Sequence, residues 1–159
     1  MVSPELLRRY PFFAGLDMDQ ITILARSADE VTVETGHYFF HEGEELSSFY
    51  IILEGAVAIV FELPQHDREI VISTLGPGDV FAWSGLVPPH SSTASGKALT
   101  WCRVLSFDCR EIRKSFEEDW HFGYLMMEKA AQVIRGRLRD LRIESLAYLA
   151  EVRPENARE

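Results

Sequence analysis

The sequence predicts an α+β fold, in which an antiparallel β-roll of the jelly-roll or double-stranded β-helix kind lies between short N-terminal helices and a long C-terminal helix. Apolar residues recur at helical spacing up to residue 30 and again from residue 108, with short β-branched and aromatic runs between them. We expect one domain, divided into residues 1–30 (helical segment), 31–107 (β-roll), 108–152 (C-terminal helices) and 153–159 (tail).

Capping signals place the N-terminal helices. Ser3, followed by proline, opens a short helix that Pro11 ends. Asp17 with Gln20 three residues later is a variant of the capping box, and it predicts a second helix that runs to about Ser27.

The predicted strands of the roll number seven or eight, and turn residues such as glycine and proline separate them. Their β-branched or aromatic runs are Val31 with Val33, Tyr38 to Phe40, Phe49 to Leu53, Val57 to Phe61, Ile70 to Ile72, Val80 to Ala82 and Cys102 to Leu105.

The C-terminal part is predicted to be helical. Asp108 with Glu111 repeats the capping signal and opens a brief helix. A helix of some thirty residues follows from about Asp119 to Val152, because this stretch lacks proline and Pro154 supplies a stop.

This long helix carries two apolar stripes. One stripe is predicted to pack on the roll and consists of Phe122, Met126, Ala130 and Val133. The other follows the alternating steps of four and three of a coiled coil, and we call it the seam: Met127, Ala131, Ile134, Leu138, Leu141, Ser145 and Tyr148.

The seam predicts a parallel homodimer, because a helix that extends past its own domain needs a partner and a second copy supplies the same helix. The alternative is a helix pair within one chain. Gly136 lies inside this helix and marks a hinge, a close approach or no special role.

Composition fits a globular protein, with 47% hydrophobic and 26% charged residues. No apolar run approaches the roughly 18 residues of a membrane-spanning helix, and Met1 to Tyr10 lack the features of an export signal. We expect a soluble cytoplasmic protein without membrane contact. Cys102 and Cys109 have neither CxxC spacing nor a histidine partner nearby, which predicts buried or unreactive thiols and no metal or cofactor.

Charge argues against nucleic-acid binding. Residues 1–127 contain 9 of the 16 Lys and Arg residues but 19 of the 25 Asp and Glu residues, and such an acidic body repels phosphates. We expect no DNA binding by this chain alone, although Arg135, Arg137, Arg139 and Arg142 make the long helix locally basic.

Four stretches resemble the cyclic-nucleotide-binding domains of catabolite-activator and FNR-type regulators and of cyclic-AMP-dependent kinase regulatory subunits. They read FFAGLDMDQITILA (12–25), GHYFFHEGEELSSFYIILEGAVAIV (36–60), LGPGDVFAWSGL (75–86) and TASGKAL (93–99). The third stretch is similar to the approach to that family's phosphate-binding cassette. The family's regulators continue into a helix-turn-helix, whereas this chain ends at Glu159.

The resemblance also implies departures at the ligand site. In the family a glycine admits the ligand, a glutamate accepts a hydrogen bond from the ribose 2′-hydroxyl, and an arginine binds the cyclic phosphate; these positions fall on Ala82, Trp83 and Ser92. A lost arginine–phosphate contact removes about 1.5–3 kcal/mol. We therefore expect that cyclic AMP is not bound in the usual way.

The candidate ligand-binding residues belong to the cassette segment, which we define as residues 81–94: Phe81, Ala82, Trp83, Ser84, Gly85, His90, Ser91, Ser92, Thr93 and Ala94. Their hydroxyls, turn amides and imidazole suit an anion or a neutral polar ligand. In the alternative interpretation Trp83 fills the pocket and the hydroxyls only satisfy turn amides.

No catalytic residue is predicted, because the sequence has no nucleophile elbow, no cysteine near a histidine and no phosphate-binding glycine motif. A cupin-like metal protein is the third alternative. It is weakened by the scattered histidines, since His37 and His41 share a strand face but are separated by about 13 Å along the strand.

The sequence therefore predicts a stand-alone regulatory or sensor domain that signals through its dimer helix to a partner protein, with an unidentified small molecule as its ligand. The alternative within the same fold is a ligand-free interaction or scaffold protein.

Overall fold

The computed structural model describes residues 1–152, and the predicted tail at 153–159 lies outside the described residues. Its helices are α1 (Pro4–Arg8), α2 (Met18–Arg26), α3 (Cys109–Glu118) and α4 (Trp120–Val152). Its strands are β1 (Ala28–Val33), β2 (Tyr38–Phe40), β3 (Ser48–Glu54), β4 (Val57–Leu63), β5 (Arg68–Leu75), β6 (Val80–Phe81), β7 (Ser95–Ala98) and β8 (Cys102–Asp108). Short 3₁₀ turns lie at Pro11–Phe13, Pro64–His66 and Trp83–Leu86.

The strands form two four-stranded antiparallel sheets, with the orders β1-β8-β3-β6 and β2-β7-β4-β5. The predicted α+β fold, with an antiparallel roll and a long C-terminal helix, is confirmed. Phe49 of β3 and Phe107 of β8 stack at the centre of the first sheet, with ring centroids 4.6 Å apart. Residues of all four helices pack in the core on this sheet, and side chains of the second sheet line a cavity together with the cassette segment.

Several strand boundaries differ from the sequence prediction. Strand β5 is longer than the predicted run Ile70 to Ile72, and β8 ends at Asp108 rather than Leu105. Strand β1 begins at Ala28, earlier than expected, because Ala28 pairs with Phe107 at the end of β8. Strand β6 ends at Phe81 rather than Ala82, so the predicted strand at Val80 to Ala82 is too long. Ala82 adopts a left-handed conformation with φ 61°, which turns the chain out of the sheet.

Side-chain caps fix the starts of α2 and α4. The Asp17 carboxylate accepts the Gln20 N–H, and the Gln20 side chain accepts the Asp17 N–H, so both bonds of the capping box are present. The Gln20 amide also donates to Asp119 at 3.1 Å, and Asp119 accepts the N–H of Phe122 at 2.9 Å. Asp119 therefore ties the start of α4 to α2.

The first half of α4 packs on the roll through the predicted stripe. Phe122 and Met126 are buried in the core that includes Phe49 and Phe107, and Val133 packs against it partly buried. Ala130 is buried as well. Residues 142–151, in the last third of the helix, are all exposed. The helix is therefore anchored at its start and extends beyond the body of the domain.

Candidate ligand pocket

A cavity of about 300 Å³ lies between the roll and α4. Three parts of the chain form its wall: the second sheet, the cassette segment and the middle of α4. The lining residues are Phe40, Ile59, Phe61, Ile72, Ser73, Phe81, Ala82, Trp83, Ser84, Ser92, Thr93, Ala94, Ile134, Arg137, Leu138 and Leu141. A pocket of this size is at the lower end of those that hold small molecules.

Most of the predicted cassette residues line this cavity. They are Phe81, Ala82, Trp83, Ser84, Ser92, Thr93 and Ala94. The left-handed turn at Ala82 starts a 3₁₀ turn in which the Gly85 N–H donates to the Ala82 carbonyl at 3.1 Å. Trp83 lies half-buried in the wall and leaves the cavity open.

The other predicted residues, Gly85, His90 and Ser91, do not line the cavity. A Cβ on Gly85 would lie 2.6 Å from the sulfur of Cys109, so this glycine allows close packing against α3. His90 and Ser91 join the cassette segment to the loop that precedes β3. The His90 carbonyl accepts the Leu46 N–H at 2.7 Å, and Ser91 forms a β-bridge with Glu45.

The hydroxyl of Ser92 is bonded within its own turn. Its Oγ donates to the Ala94 carbonyl and accepts the Ala94 N–H. The resemblance places a phosphate-binding arginine at this position. A short side chain that is committed to its own backbone offers no charge to a ligand.

Arg137 is the only charged side chain among the described residues that line the cavity. Its guanidinium donates to the Val80 carbonyl at 3.0 Å. Burial lowers the pKa of Arg137 from its ordinary value, and the charges of Asp79 and Asp140 act in the opposite direction. An arginine nevertheless stays protonated in proteins.

The sequence predicts a basic region around Arg137 but not the position of Arg137 in the pocket. A signal was available, because Arg137 lies three residues after Ile134 and four before Leu141. This spacing puts all three on one helix face, and Ile134 and Leu141 also line the cavity.

The predicted seam is divided between different surroundings. Ile134, Leu138 and Leu141 line the cavity and keep 36%, 46% and 40% of their surface exposed. Met127 packs against the core, whereas Ala131, Ser145 and Tyr148 are exposed.

The cysteines and histidines lie elsewhere. Cys102 and Cys109 are free and buried, and burial raises the pKa of the Cys109 thiol to about 12. Imidazole Nδ1 of His41 is 2.9 Å from Glu62, and its ring stacks on Tyr38. Within residues 1–152, no three His, Cys, Asp or Glu residues are grouped so that they could hold a metal ion. No helix in this part of the chain is long and apolar enough to span a membrane.

Comparison with known proteins gives a consistent result. Residues 30–119 match the family described as "Cyclic nucleotide-binding domain". The chain is similar to a CRP-like cAMP-activated global transcriptional regulator of Mycobacterium tuberculosis, with 32% identity over 109 residues that cover 69% of this chain and 48% of the regulator. The chain therefore spans about half the length of this relative.

Two solved structures are similar to the chain over most of its length. A putative cyclic nucleotide-binding protein from Geobacter metallireducens superimposes with a TM-score of 0.79 and 29% identity, covering 87% of this chain and 99% of that one. The regulatory subunit of a cAMP-independent protein kinase A from Trypanosoma brucei gives a TM-score of 0.65 and 26% identity, covering 80% of this chain and 45% of that one.

Proposed function

The chain belongs to the cyclic nucleotide-binding domain family, and on that premise we propose that it is a regulatory sensor domain whose ligand binds in the cavity between the roll and α4. One observation carries the proposal: the cassette segment and α4 line the same cavity, with Trp83 on one side and Leu138 on the other. A ligand there contacts both elements, so its binding energy depends on where α4 lies.

The proposed ligand is not a cyclic nucleotide bound in the family's usual way. Ser92 replaces the expected arginine and is bonded to its own turn, and Trp83 replaces the expected glutamate. The similar proteins include both cases: one is named as cAMP-activated, and another is named as the regulatory subunit of a cAMP-independent kinase. This fold therefore does not by itself imply that cyclic AMP is the ligand.

The proposed output is a change at the seam of a homodimer. The seam carries exposed apolar side chains, with Leu138 46%, Leu141 40% and Tyr148 67% exposed. Burial of such side chains against the same helix of a second copy stabilises a dimer. A shift of α4 on ligand binding then changes the relative position of the two copies.

The proposed role is not enzymatic. None of the described residues that line the cavity is an acid, a histidine or a thiol, and these groups carry most acid–base and nucleophilic catalysis. The polar lining consists of the hydroxyls of Ser73, Ser84, Ser92 and Thr93 together with Arg137.

A thermal-shift screen tests the sensor function. The purified chain is heated with cyclic nucleotides, linear nucleotides and a library of small metabolites. A ligand at a hundred times its dissociation constant adds about 2.7 kcal/mol to the free energy of unfolding. We expect stabilisation by at least one compound and loss of that stabilisation in Trp83→Ala.

The matched control is Trp120→Ala, because Trp120 is 82% exposed and does not line the cavity. This variant should keep the wild-type response to the compound. If no compound stabilises the wild-type protein, the sensor function is wrong and the exposed apolar part of α4 favours the scaffold alternative.

A further inference from the structure

We propose that the cavity takes a small organic carboxylate with an apolar body, and that Arg137 of α4, rather than the cassette segment, binds the carboxylate. The inference rests on the proposed function, because it assigns a ligand class to the same pocket. The observation behind it is a single cation in a wall whose other side chains are apolar or carry hydroxyls.

The guanidinium of Arg137 has unused donors. It has five N–H groups, and the hydrogen bond to the Val80 carbonyl uses one of them. Among residues 1–152, the ion pairs leave Arg137 without a carboxylate within 4.0 Å. A partly buried charge without a direct ion pair is unfavourable, and a ligand anion in the cavity would supply the close contact that the more distant Asp79 and Asp140 do not.

The charge around the cavity favours a single negative charge on the ligand. Asp79 and Asp140 are close enough to act on Arg137 electrostatically, and the chain as a whole has a net charge of −9. A phosphate dianion would carry two negative charges into these acidic surroundings, and Arg137 could balance only one of them. A carboxylate matches the planar fork of the guanidinium and its charge.

The rest of the wall favours an apolar body. Phe40, Ile59, Phe61, Ile72 and Phe81 line the side formed by the roll. The hydroxyl of Ser92 is bonded to its own turn, which removes it from ligand binding. The remaining lining hydroxyls, those of Ser73, Ser84 and Thr93, are fewer than the polar groups of a ribose and a purine. Each polar group that is left without a partner weakens binding.

The test is isothermal titration calorimetry on the full chain with straight-chain carboxylates from butyrate to dodecanoate and with phenylalkanoates. The neutral amide of each acid, cyclic AMP and inorganic phosphate are titrated in parallel. We expect at least one acid to bind at least tenfold more tightly than its amide, a difference of about 1.4 kcal/mol. Cyclic AMP and phosphate should bind more weakly than that acid.

Three variants locate the carboxylate. Arg137→Gln should remove the preference for acid over amide, and Arg137→Lys should retain part of it because the charge remains. Arg139→Gln is the control, because Arg139 is an exposed arginine on the same helix that does not line the cavity. Binding of an amide by Arg137→Gln, with wild-type affinity, checks that the pocket is still formed.

The outcomes separate this inference from the sensor function. If amides or cyclic AMP bind as tightly as the acids and Arg137→Gln is unaffected, the carboxylate inference is wrong and the sensor function stands. If no acid binds but a compound from the thermal-shift screen does, the carboxylate inference is again wrong and the sensor function stands. If no compound of any class binds, both are wrong.

Discussion

The guanidinium of Arg137 donates a hydrogen bond to the carbonyl oxygen of Val80, 3.0 Å away. This bond joins the middle of α4 to the strand that leads directly into the left-handed turn at Ala82. Before this point, Phe122 and Met126 anchor the helix in the core, whereas residues 142–151 are exposed. The Arg137–Val80 bond therefore lies where α4 leaves the body of the domain.

Replacement of Arg137 by alanine should loosen the helix beyond the cavity. A hydrogen bond from a charged donor contributes about 1.5 kcal/mol, and its loss frees the part of α4 that has no buried side chains. We expect faster amide hydrogen exchange in residues 142–151 and unchanged exchange in the buried part near Met126. Hydrogen-exchange mass spectrometry of the ligand-free protein measures this difference.

Arg139→Ala is the control for this prediction, because it removes an exposed arginine from the same helix. Equal exchange rates in Arg137→Ala, Arg139→Ala and wild type would show that the bond to Val80 does not hold the helix.

The seam predicts a second effect on assembly. Tyr148 belongs to the seam, is 67% exposed and lies outside the cavity wall. In a homodimer Tyr148→Glu would place a charge in the interface, where an unpaired buried charge is strongly unfavourable. We expect the wild-type chain to sediment as a dimer and Tyr148→Glu to raise the dimer dissociation constant at least tenfold.

The matched control is Ile143→Glu. Ile143 is 55% exposed on the same part of α4 but does not follow the seam spacing. It should leave the dissociation constant near the wild-type value. A monomeric wild-type protein in analytical ultracentrifugation would contradict the dimer, and equal losses from both variants would contradict the seam.

Local signals in the sequence are sufficient to predict where the helices begin and which face of the long helix is buried. Asp17 and Gln20 specify a helix start through bonds that span three residues, and the structure contains both. The apolar stripe through Phe122 and Met126 likewise follows from the helical period alone. These features need no knowledge of the rest of the fold.

Features that depend on tertiary contacts could not be predicted in this way. Ala82 lies in an apolar run that reads as a strand, and its left-handed conformation follows from the path of the chain into the next turn. The sequence predicts Gly85 to be part of the ligand site. In the structure its small size is needed because the sulfur of Cys109, from a helix distant in the sequence, lies against it. Arg137 lines the pocket only because the tertiary fold brings the middle of α4 to the same cavity as the second sheet.

Gly55, in the turn that joins β3 of one sheet to β4 of the other, should be sensitive to substitution. It has φ 95°, and an added Cβ would overlap the Trp101 carbonyl and lie 2.8 Å from the sulfur of Cys102. Strain at a positive φ and overpacking each contribute about 1–3 kcal/mol. We expect Gly55→Ala to lower the free energy of unfolding by about 3 kcal/mol, measured by urea denaturation.

Gly36→Ala separates these two contributions. Gly36 has a similar φ of 87°, but a Cβ there would meet nothing within 4 Å. This variant should lose about 1 kcal/mol through backbone strain alone. Equal losses at both positions would show that the contact with Trp101 and Cys102 relaxes.

A carboxylate on the outside of the second sheet should make stability depend on pH in the acid range. Glu62 accepts a hydrogen bond from the Ser95 hydroxyl at 2.6 Å, and Nδ1 of His41 lies 2.9 Å from the same oxygen. The Ser95 bond first, then the His41 bond and the nearby charges of His41 and Lys97, lower the pKa of Glu62 from its ordinary value. The folded state therefore favours the ionised carboxylate.

The direction of the pH effect follows from this lowered pKa. A group whose pKa is lower in the folded state stabilises the protein above its unfolded pKa, about 4.3 for glutamate, and this stabilisation is lost as pH falls through the folded pKa. We expect the free energy of unfolding of the wild type to exceed that of Glu62→Gln by less at about pH 3 than at about pH 5. Urea denaturation across this range measures the difference. The control is Glu44→Gln, because Glu44 is an exposed acid whose side chain makes no hydrogen bond within residues 1–152. A Glu62→Gln profile parallel to that of the wild type would show that the Ser95 and His41 contacts do not stabilise the carboxylate.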